Sequence, residues 1–567
     1  MSTQTIVVDP LTRIEGHLRI DVDVEGGKVA KAWSSGQMWR GVELIMLGRD
    51  PRDGWAITQR ICGVCTTVHA IASVRAVENA LQLEIPVNAQ YIRNMIILAH
   101  AIHDHIVHFY HLSALDWVDV VSALKADPDK AASLAQSLSS WELNDRQVMR
   151  STLERLKTFV NGGQLGIFTN GYWGHPAMKL PPEVNLMAVA HYLQALDVQR
   201  QANKVVAILG SKTPHIQNLA VGGVSNPINL DSPETLTLER LLAVKAHIDK
   251  LHDFVKNVYL VDVAAIGALY PEWTTYGAGV TNYLCVPDIP LDGKGTRFAF
   301  PGGFVPGRDL KQQKPIGSFD DPYWAKGVEE AVKHSWYTYD KQGPLHPYSG
   351  ETRPDYTDFQ ADAKYSWLKS PTFYGQVAQV GPLAQVLNML AAGYAPAQRY
   401  ADETLQRVAA IGHVKVGLDA MHSTIGRHAA RAIACAIKTD HLSEQWQMLM
   451  DNIGRGDYTT YNHPVFPKGE IMGVGFHEAP RGALSHWVVI DDGKVRNYQC
   501  VVPSTWNACP RNEADEPGPY EASLLDNPVA EPDKPLEVLR TVHSFDPCIA
   551  CAIHLTDGED AFSVRAC

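Results

Sequence analysis

The sequence lacks the features that would place it in several large functional classes. Its 567 residues contain no apolar run of about eighteen or more, so no segment is expected to cross a bilayer as a helix. The formal net charge of −12 argues against nucleic-acid binding, which selects basic surfaces. The first ten residues have neither a basic nor an apolar signal region, so we expect no signal peptide on this chain.

Motifs of the common enzyme classes are also absent. There is no Walker loop, dinucleotide fingerprint, Gly-x-Ser-x-Gly elbow or His-Glu-x-x-His segment. Nine cysteines are an odd number in a chain too large to need covalent staples, so a disulfide framework is not expected. Cys285, Cys435 and Cys509 have no paired spacing, and we interpret them as small buried residues without a chemical role.

Two Cys-x-x-Cys pairs stand near opposite ends of the chain. Each is followed by a histidine, in Arg60–His69 (RICGVCTTVH) and Asp546–His554 (DPCIACAIH). A two-residue spacer lets both sulfurs point at one centre, and thiolates are the ligands that soft or borderline transition metals prefer. A structural zinc site, a thioredoxin-like redox pair and a catalytic four-thiolate cluster are all possible interpretations. Zinc modules usually space their pairs about 12–20 residues apart, and a redox motif needs one pair, so the cluster accounts best for both.

Periodicity predicts a largely helical chain with small sheets near the cysteine loops. Helical spacing of apolar residues predicts helices at 66–82, 88–125, 130–162, 183–210, 233–268 and 383–452. Alternating apolar and polar residues predict a β-hairpin or small β-meander at 4–35 and a hairpin at 484–502. Segments rich in Pro, Gly and aromatic residues are expected to be ordered surface loops, at 270–325 and 340–380. An acidic, Pro-rich loop at 513–534 precedes a last helix.

One face of the predicted helix at 88–125 carries His100, Asp104 and His108. Their four-residue spacing suggests a separate metal site. The neighbouring positions are strongly apolar, however, which favours hydrogen-bonded core histidines instead. A buried Asp104 would need a charged partner.

The two cysteine motifs resemble the signatures of the large subunit of nickel–iron hydrogenases. The resemblance runs from Arg13–His17 (RIEGH) to His554 and is closest to the respiratory uptake (hydrogenase-2-like) branch. It implies a mostly α fold with small antiparallel β-sheets, an α+β class with a long-helix bundle core. It also implies reversible oxidation of H2 to protons and electrons. Residues 1–554 would form a single domain, and residues 555–567 would be a propeptide removed on maturation.

The resemblance assigns ligands for two metal sites. Cys62 and Cys548 would be terminal ligands of nickel, whereas Cys65 and Cys551 would bridge nickel to an iron that carries carbon monoxide and cyanide. The residues that would cradle the cyanides are Pro480, Arg481, Ser504 and Thr505. A second metal, magnesium, would be bound by Glu43, the backbone carbonyl of Cys500 and His554. An inward-pointing Cys500 thiol would instead allow a softer metal.

The resemblance also assigns residues that move protons. Arg481 would lie above the nickel–iron edge as a base, with Asp104 and Asp546 around its guanidinium; by itself, this arginine could equally form a structural ion pair. Glu15 would carry protons away from Cys548, because each turnover must release them. His69 would donate a hydrogen bond to a bridging sulfur.

The remaining expectations concern partners and location. No residues are left to hold an electron-transfer chain, so electrons would leave through an iron–sulfur small subunit near Cys62 and Cys65, and from it to a membrane subunit. A maturation endopeptidase and nickel-insertion chaperones are further expected partners. Binding to nucleic acid is not expected. Export with the small subunit would make the enzyme periplasmic and membrane-associated, with a cytoplasmic enzyme as the alternative. Rival functions are a hydrogen-sensing regulatory protein, the quinone-site subunit of respiratory complex I and a structural zinc protein.

Overall fold

A computed structural model describes residues 3–163 and 171–552 of the chain. Its α-helices are α1 (Val42–Ile45), α2 (Gly54–Thr58), α3 (Val68–Ala80), α4 (Val87–Val107), α5 (Pro128–Leu138), α6 (Arg146–Asn161), α7 (Pro182–Gly210), α8 (Leu238–Phe254), α9 (Leu260–Leu269), α10 (Pro322–Gly327), α11 (Pro382–Ala391), α12 (Ala395–Gly412), α13 (Thr424–Gly454), α14 (Pro503–Ala508), α15 (Pro519–Leu524), α16 (Leu536–Ser544) and α17 (Ile549–Ala552). Within these residues no helix is both long and apolar enough to span a membrane.

The strands are short and antiparallel in every sheet of the described residues. They are β1 (Gln4–Val8), β2 (Leu18–Glu25), β3 (Lys28–Gly36), β4 (Leu219–Ala220), β5 (Gly223–Val224), β6 (Tyr283–Cys285), β7 (Asp288–Pro290), β8 (Phe298–Phe300), β9 (Gly302–Val305), β10 (Lys314–Ile316), β11 (Val328–Ala331), β12 (Ser370–Phe373), β13 (Glu470–Ala479), β14 (Gly482–Asp491) and β15 (Lys494–Val501). The two larger antiparallel sheets are β1–β2–β3 and β13–β14–β15.

The core is a bundle in which α4 packs between α7 and α13. Nearly every residue of α4 from Asn88 to Ile106 is buried, including polar residues such as Arg93 and Asp104, which form ion pairs there. The predicted helix at 88–125 was too long. Regular α-helix ends at Val107, and the chain continues as a π-helical turn over His108–Ser113.

The predicted β-meander is confirmed, and the segment between β1 and β2 reaches the second cysteine loop. Gly16 lies there with a φ of 85°, and a Cβ at this position would overlap the backbone of Ile549 and Ala550. Only glycine permits both the conformation and the close approach. The Arg-Ile-Glu-Gly-His segment thus brings the beginning of the chain against its far end.

The predicted hairpin at 484–502 is also confirmed, but a third strand, β13, was missed. Glycines at 473 and 475 weaken its strand signal, because glycine packs no side chain. In the structure a Cβ at Gly475 would overlap the backbone of Ala72 and Ala76. The glycines therefore let α3 lie directly on the sheet.

The prediction of surface loops at 270–325 and 340–380 is confirmed only in part, because residues 351–363 form a largely exposed loop whereas other parts of both segments are strands. These segments form the short strands β6 to β10 and β12, and much of their apolar content lies in a buried cluster that includes Leu284, Phe304, Trp324 and Phe373. Strands of three or four residues, interrupted by Pro and Gly, are too short to show a period.

Candidate metal centre

Four cysteine sulfurs from the two ends of the chain meet at one point. The Sγ atoms of Cys62 and Cys548 are 3.4 Å apart, those of Cys65 and Cys551 are 2.6 Å apart, and those of Cys548 and Cys551 are 2.8 Å apart. All four residues are buried, and their sulfurs lie within 4.8 Å of one another. The fold therefore brings together the two pairs that the sequence separates by almost its whole length.

Each cysteine loop is held by backbone contacts. The Cys65 amide donates to the Cys62 sulfur at 3.2 Å, which curls the first loop before α3 begins. In the second loop the Cys548 amide donates to the Ser504 hydroxyl at 3.0 Å. Asp546 adopts a φ of 62°, in the left-handed region, immediately before this loop.

Arg40 joins the two loops and was missed by the sequence analysis. Its guanidinium donates to the carbonyls of both Ile61 and Ala550, one next to each cysteine pair. No motif marks this arginine, because its role depends on a contact across 510 residues.

The chemistry of these thiols fits a metal ion. Burial raises the pKa of Cys65 to about 12 and those of Cys548 and Cys551 well above their usual range. Burial acts in the same sense on Cys62, but hydrogen bonds from the other thiols lower its pKa well below the ordinary value. One thiolate is therefore favoured and its neighbours keep their protons. Four thiolates can coexist here only around a cation, and sulfur selects a soft or borderline one.

A small cavity lies directly beside the cluster. Cys65, Cys548 and Cys551 line it, whereas Cys62 does not. The other lining residues are Val68, His69, Ala479, Pro480, Arg481, Val502, Pro503 and Ser504. Thr505 is buried in α14 but does not line this cavity, unlike the other predicted cradle residues.

Arg481 reaches this cavity from a buried set of ion pairs. Its guanidinium donates to Asp104 at 2.8 Å and to Asp546 at 2.9 Å. Arg431 also donates to Asp546, at 3.2 Å, and to the carbonyl of Pro480 at 2.9 Å. Burial alone would lower the pKa of Arg481, but the negative charges around it, first that of Asp546 and also that of Asp104, hold it well above its usual range.

Asp104 has the charged partner that its burial demands. Burial would raise its pKa, but the charges of His100 and Arg481 lower it to about 2. The ligand atoms of His100, His103 and Asp104 do lie within 4.8 Å of one another. Arg481 already occupies the carboxylate, however, so we interpret this group as support for the ion pair. His108 donates from Nε2 to the carbonyl of His543 at 2.6 Å, as expected of a core histidine.

Glu15 lies against the sulfur of Cys548. One carboxyl oxygen is 3.4 Å from that Sγ and accepts from the Ala550 amide at 3.0 Å. The Glu15 carbonyl accepts from the Ile549 amide at 2.7 Å, which fixes the segment on the loop. Burial, followed by the charge on Cys62, raises the pKa of Glu15 to about 7.

The predicted second metal site contains a lysine that the sequence analysis missed. Glu43 is buried and accepts from the Cys500 amide at 2.9 Å. The Lys369 ammonium lies 3.6 Å from Glu43 and 3.5 Å from Glu330, and it donates to the Gln499 side chain at 2.7 Å. Two buried carboxyls thus face one ammonium.

Hard oxygen donors of this kind suit Mg²⁺. Burial and the charge on Glu43 raise the pKa of Glu330 to about 7, although Lys369 opposes the shift. Burial also raises the pKa of the Cys500 thiol well above its ordinary range, which disfavours a thiolate ligand here. The third predicted ligand, His554, and the predicted propeptide lie outside the described residues.

Comparison with known proteins extends over the whole chain. The family described as nickel-dependent hydrogenase matches residues 40–554, and one described as HoxL-like matches residues 5–34. The chain is 57% identical over 566 residues to the Hydrogenase-2 large chain of Escherichia coli (strain K12), across 99% of this chain and 100% of that one. It is 46% identical to the uptake hydrogenase large subunit of Rhizobium leguminosarum bv. viciae, across 100% and 98%.

A solved structure agrees with the fold. The Ni-Fe-Se hydrogenase from D. vulgaris Hildenborough in the reduced state superposes with a TM-score of 0.77 at 31% identity, across 98% of this chain and 100% of that one. The predicted α+β class with small antiparallel sheets is thereby confirmed. The zinc, redox-pair and quinone-site interpretations find no support in these matches.

Proposed function

Because the chain belongs to the nickel-dependent hydrogenase family, we propose that its four clustered cysteines hold a nickel–iron centre at which H2 is converted reversibly to protons and electrons. The chain is the catalytic large subunit of an uptake hydrogenase, an oxidoreductase with H2 as electron donor. The convergence of both cysteine pairs on one buried point carries this proposal. The named relatives are hydrogenases and uptake hydrogenases, which leaves the hydrogen-sensing alternative without support.

The proposed centre gives the four cysteines different tasks. Cys65, Cys548 and Cys551 line the cavity, and Cys548 also touches Glu15. In the proposed assignment Cys65 and Cys551 would be shared by nickel and iron, and Cys62 and Cys548 would bind nickel alone. Carbon monoxide and cyanide on the iron would face Pro480, Arg481 and Ser504. Thr505, which does not line the cavity, has the weakest support of the proposed cradle.

When bound, such a metal pair supplies Lewis acidity and takes up the electrons of H2. We assign Arg481 the role of a fixed cation at the cavity wall. Two carboxylates hold its guanidinium protonated, so the expected role as a base would require it to lose its charge against both of them. A charged donor that is oriented before reaction can stabilise negative charge without reorganisation.

Glu15 is the proposed acceptor of protons from the Cys548 sulfur. The 3.4 Å contact places its carboxyl within reach, and a pKa near 7 lets it both take and release a proton at neutral pH. His69 lines the same cavity and is the proposed donor to a bridging sulfur.

The second site is proposed to bind Mg²⁺ through Glu43, the Cys500 carbonyl and His554. Its excess of carboxyl groups over ammonium supports an additional cation. The site would close the end of the chain beneath the metal cluster, once a maturation endopeptidase has removed residues 555–567 and nickel-insertion chaperones have acted.

We further propose an iron–sulfur small subunit as the electron acceptor, since the described residues group only four cysteines as metal ligands. The large-chain and large-subunit names of the relatives support such a partner. A membrane subunit for anaerobic respiration, export with the small subunit and a periplasmic, membrane-associated location complete the proposal.

Infrared spectroscopy with nickel and iron quantification on the purified enzyme tests this function. We expect bands of metal-bound carbon monoxide and cyanide, and about one nickel and one iron per chain beyond the iron of the small subunit. Absence of the bands, or zinc in place of nickel, would refute the nickel–iron assignment.

A further inference from the structure

Arg431 joins two segments of the chain that support the cavity. It lies on α13, and its Nη1 donates to the Pro480 carbonyl at 2.9 Å and to the Asp546 carboxylate at 3.2 Å. The same nitrogen donates to Nδ1 of His105 at 3.2 Å, and Nη2 donates to the Phe545 carbonyl at 3.4 Å. Arg431 is 1% exposed and does not line the cavity, and the proposed function assigns it no role.

The two segments that Arg431 joins carry groups of the proposed reaction. Pro480 and Arg481 form the two-residue turn between β13 and β14, and both line the cavity. Asp546 precedes Cys548 by two residues in the second cysteine loop. A movement of either segment would therefore move the Arg481 guanidinium relative to the cysteine sulfurs.

The Asp546 carboxylate lies between two guanidinium groups. Its Oδ1 accepts from Arg481 at 2.9 Å, and its Oδ2 accepts from Arg431 at 3.2 Å. The Asp546 carbonyl also accepts from Nε of Arg481 at 3.0 Å. Without Arg431, Oδ2 would lose this partner, and the ion pair with Arg481 would be free to shift.

A permanent donor suits the position of Arg431, because every group that it contacts accepts a hydrogen bond. A guanidinium carries only donors. Burial lowers the pKa of His105 well below its usual range, which leaves the ring uncharged and its Nδ1 able to accept. Burial also lowers the pKa of Arg431 itself, but the charge of Asp546 opposes that shift.

We propose that Arg431 is a positioning residue that fixes Asp546 and the Pro480–Arg481 turn relative to each other, and thereby holds the Arg481 guanidinium at the cavity wall. The inference rests on the proposed nickel–iron centre. A charged donor stabilises a reacting group best when it is oriented before the reaction begins. Loss of Arg431 should therefore slow the reaction, although this residue does not line the cavity.

The competing interpretation is a purely structural arginine, for which α13 offers a matched example. Arg427 lies one turn earlier on this helix, is also buried, and stacks on the Phe545 ring at 3.8 Å. It donates to the Gly277 carbonyl at 2.7 Å and to the Ser523 hydroxyl at 2.8 Å, and it forms no ion pair with Asp546. Arg427→Met thus removes a buried guanidinium from the same helix but leaves the Asp546 carboxylate with both partners.

The test is Arg431→Met in the assembled enzyme, with infrared spectra and steady-state kinetics as readouts. A wall that is no longer held in one position should broaden the carbon monoxide and cyanide bands. We expect kcat for H2 oxidation to fall about 10- to 100-fold, as when a supporting partner of a metal site is lost, with KM for H2 and nickel content unchanged. Arg431→Lys should restore most of the rate, because an ammonium can still donate to Pro480 and Asp546. Arg427→Met should leave the bands narrow and kcat near normal.

A double-mutant cycle asks whether Arg431 acts through Arg481. In an Arg481→Lys background the oriented guanidinium is already lost, so Arg431→Met should lower kcat little further. Narrow bands with a normal kcat in Arg431→Met, or an equal fold loss in both backgrounds, would overturn the inference. The same broadening in Arg427→Met would also overturn it, because the effect would then belong to any buried arginine of this helix.

If Arg431→Met gives no assembled enzyme, Arg431→Gln tests the same contacts, because its shorter, uncharged amide reaches fewer of the acceptors. This variant should broaden the bands and lower kcat in the same direction, and an unchanged spectrum and rate would contradict the proposal. Bands absent from the unmodified enzyme would instead refute the nickel–iron centre itself, so the two failures are distinguishable.

Discussion

Two buried clusters in this protein each place a basic side chain between two carboxyl groups, yet they differ in how the charges meet. Around Arg481, both carboxylates accept hydrogen bonds at 2.8–2.9 Å, and Arg431 adds a second cation. Around Lys369, both carboxyls stay 3.5–3.6 Å from the ammonium. The guanidinium fork fits two carboxylates at once, whereas an ammonium is a point charge.

This difference in geometry is accompanied by opposite pKa shifts of the carboxyl groups in the two clusters. Asp104 has its pKa lowered to about 2, whereas Glu330 has its pKa raised to about 7. In the first cluster the arginine and carboxylate charges balance, and hydrogen bonds hold the side chains in place. Such a cluster suits a cavity wall that must not move beside a reacting site. In the second cluster one carboxyl group keeps its proton up to about pH 7 and would have to release it to bind another cation. Similar components thus differ in protonation because their geometry differs.

The largest expected effect is on stability, from Lys369→Met. Removal of the ammonium leaves two buried carboxyl groups without a cation, and breaking such a pair costs about 3–5 kcal/mol. Denaturant unfolding of chelator-treated protein measures this cost. Lys364→Met is the control, since its partner Asp355 is half exposed and such a pair contributes at most about 1 kcal/mol. Equal costs in the two variants would contradict the proposed role of Lys369.

A smaller expected effect, now on catalysis, comes from Arg481→Lys. The ammonium of the introduced lysine cannot bind both aspartates and still face the cavity. We therefore expect the rate of H2 oxidation to fall about 100- to 1000-fold, as when an enzyme loses one oriented hydrogen-bond donor. Nickel content should stay unchanged. Arg431→Lys keeps a charge near Asp546 but does not line the cavity, so its loss should be much smaller. A near-normal rate in Arg481→Lys would remove this residue from the mechanism.

The smallest expected effect is a pH dependence of stability in the Lys369 cluster. The folded pKa of Glu330, about 7, exceeds its ordinary value of 4.5, so the folded protein holds a proton that the unfolded chain releases between these pH values. Stability of chelator-treated protein should therefore fall as pH rises from about 4.5 to about 7, by up to about 3 kcal/mol.

Glu330→Gln should flatten this slope, and saturating Mg²⁺ should offset it, because a divalent cation favours both ionised carboxyls. Thermal unfolding across this pH range, with and without Mg²⁺, measures both effects. A slope that Mg²⁺ leaves untouched would count against a magnesium site at Glu43.

The sequence could predict the cysteine site because its ligands come in two short motifs, each of which fixes two sulfurs locally. Helix α3 and the hairpin of β14 and β15 could likewise be predicted from local periodicity. Arg40 and Lys369 could not, since their partners are distant in the sequence and no spacing links them. The buried short strands between 283 and 373 were missed because three-residue strands carry no period.

Nickel K-edge X-ray absorption on the purified enzyme tests the central claim most directly, because it reports the atoms around nickel. We expect a shell of cysteine sulfurs and a nearby iron scatterer around nickel, which would both be lost in Cys548→Ser and retained in Cys435→Ala. A nickel shell of nitrogen and oxygen, or no iron scatterer, would contradict the assignment of the four cysteines to a nickel–iron centre.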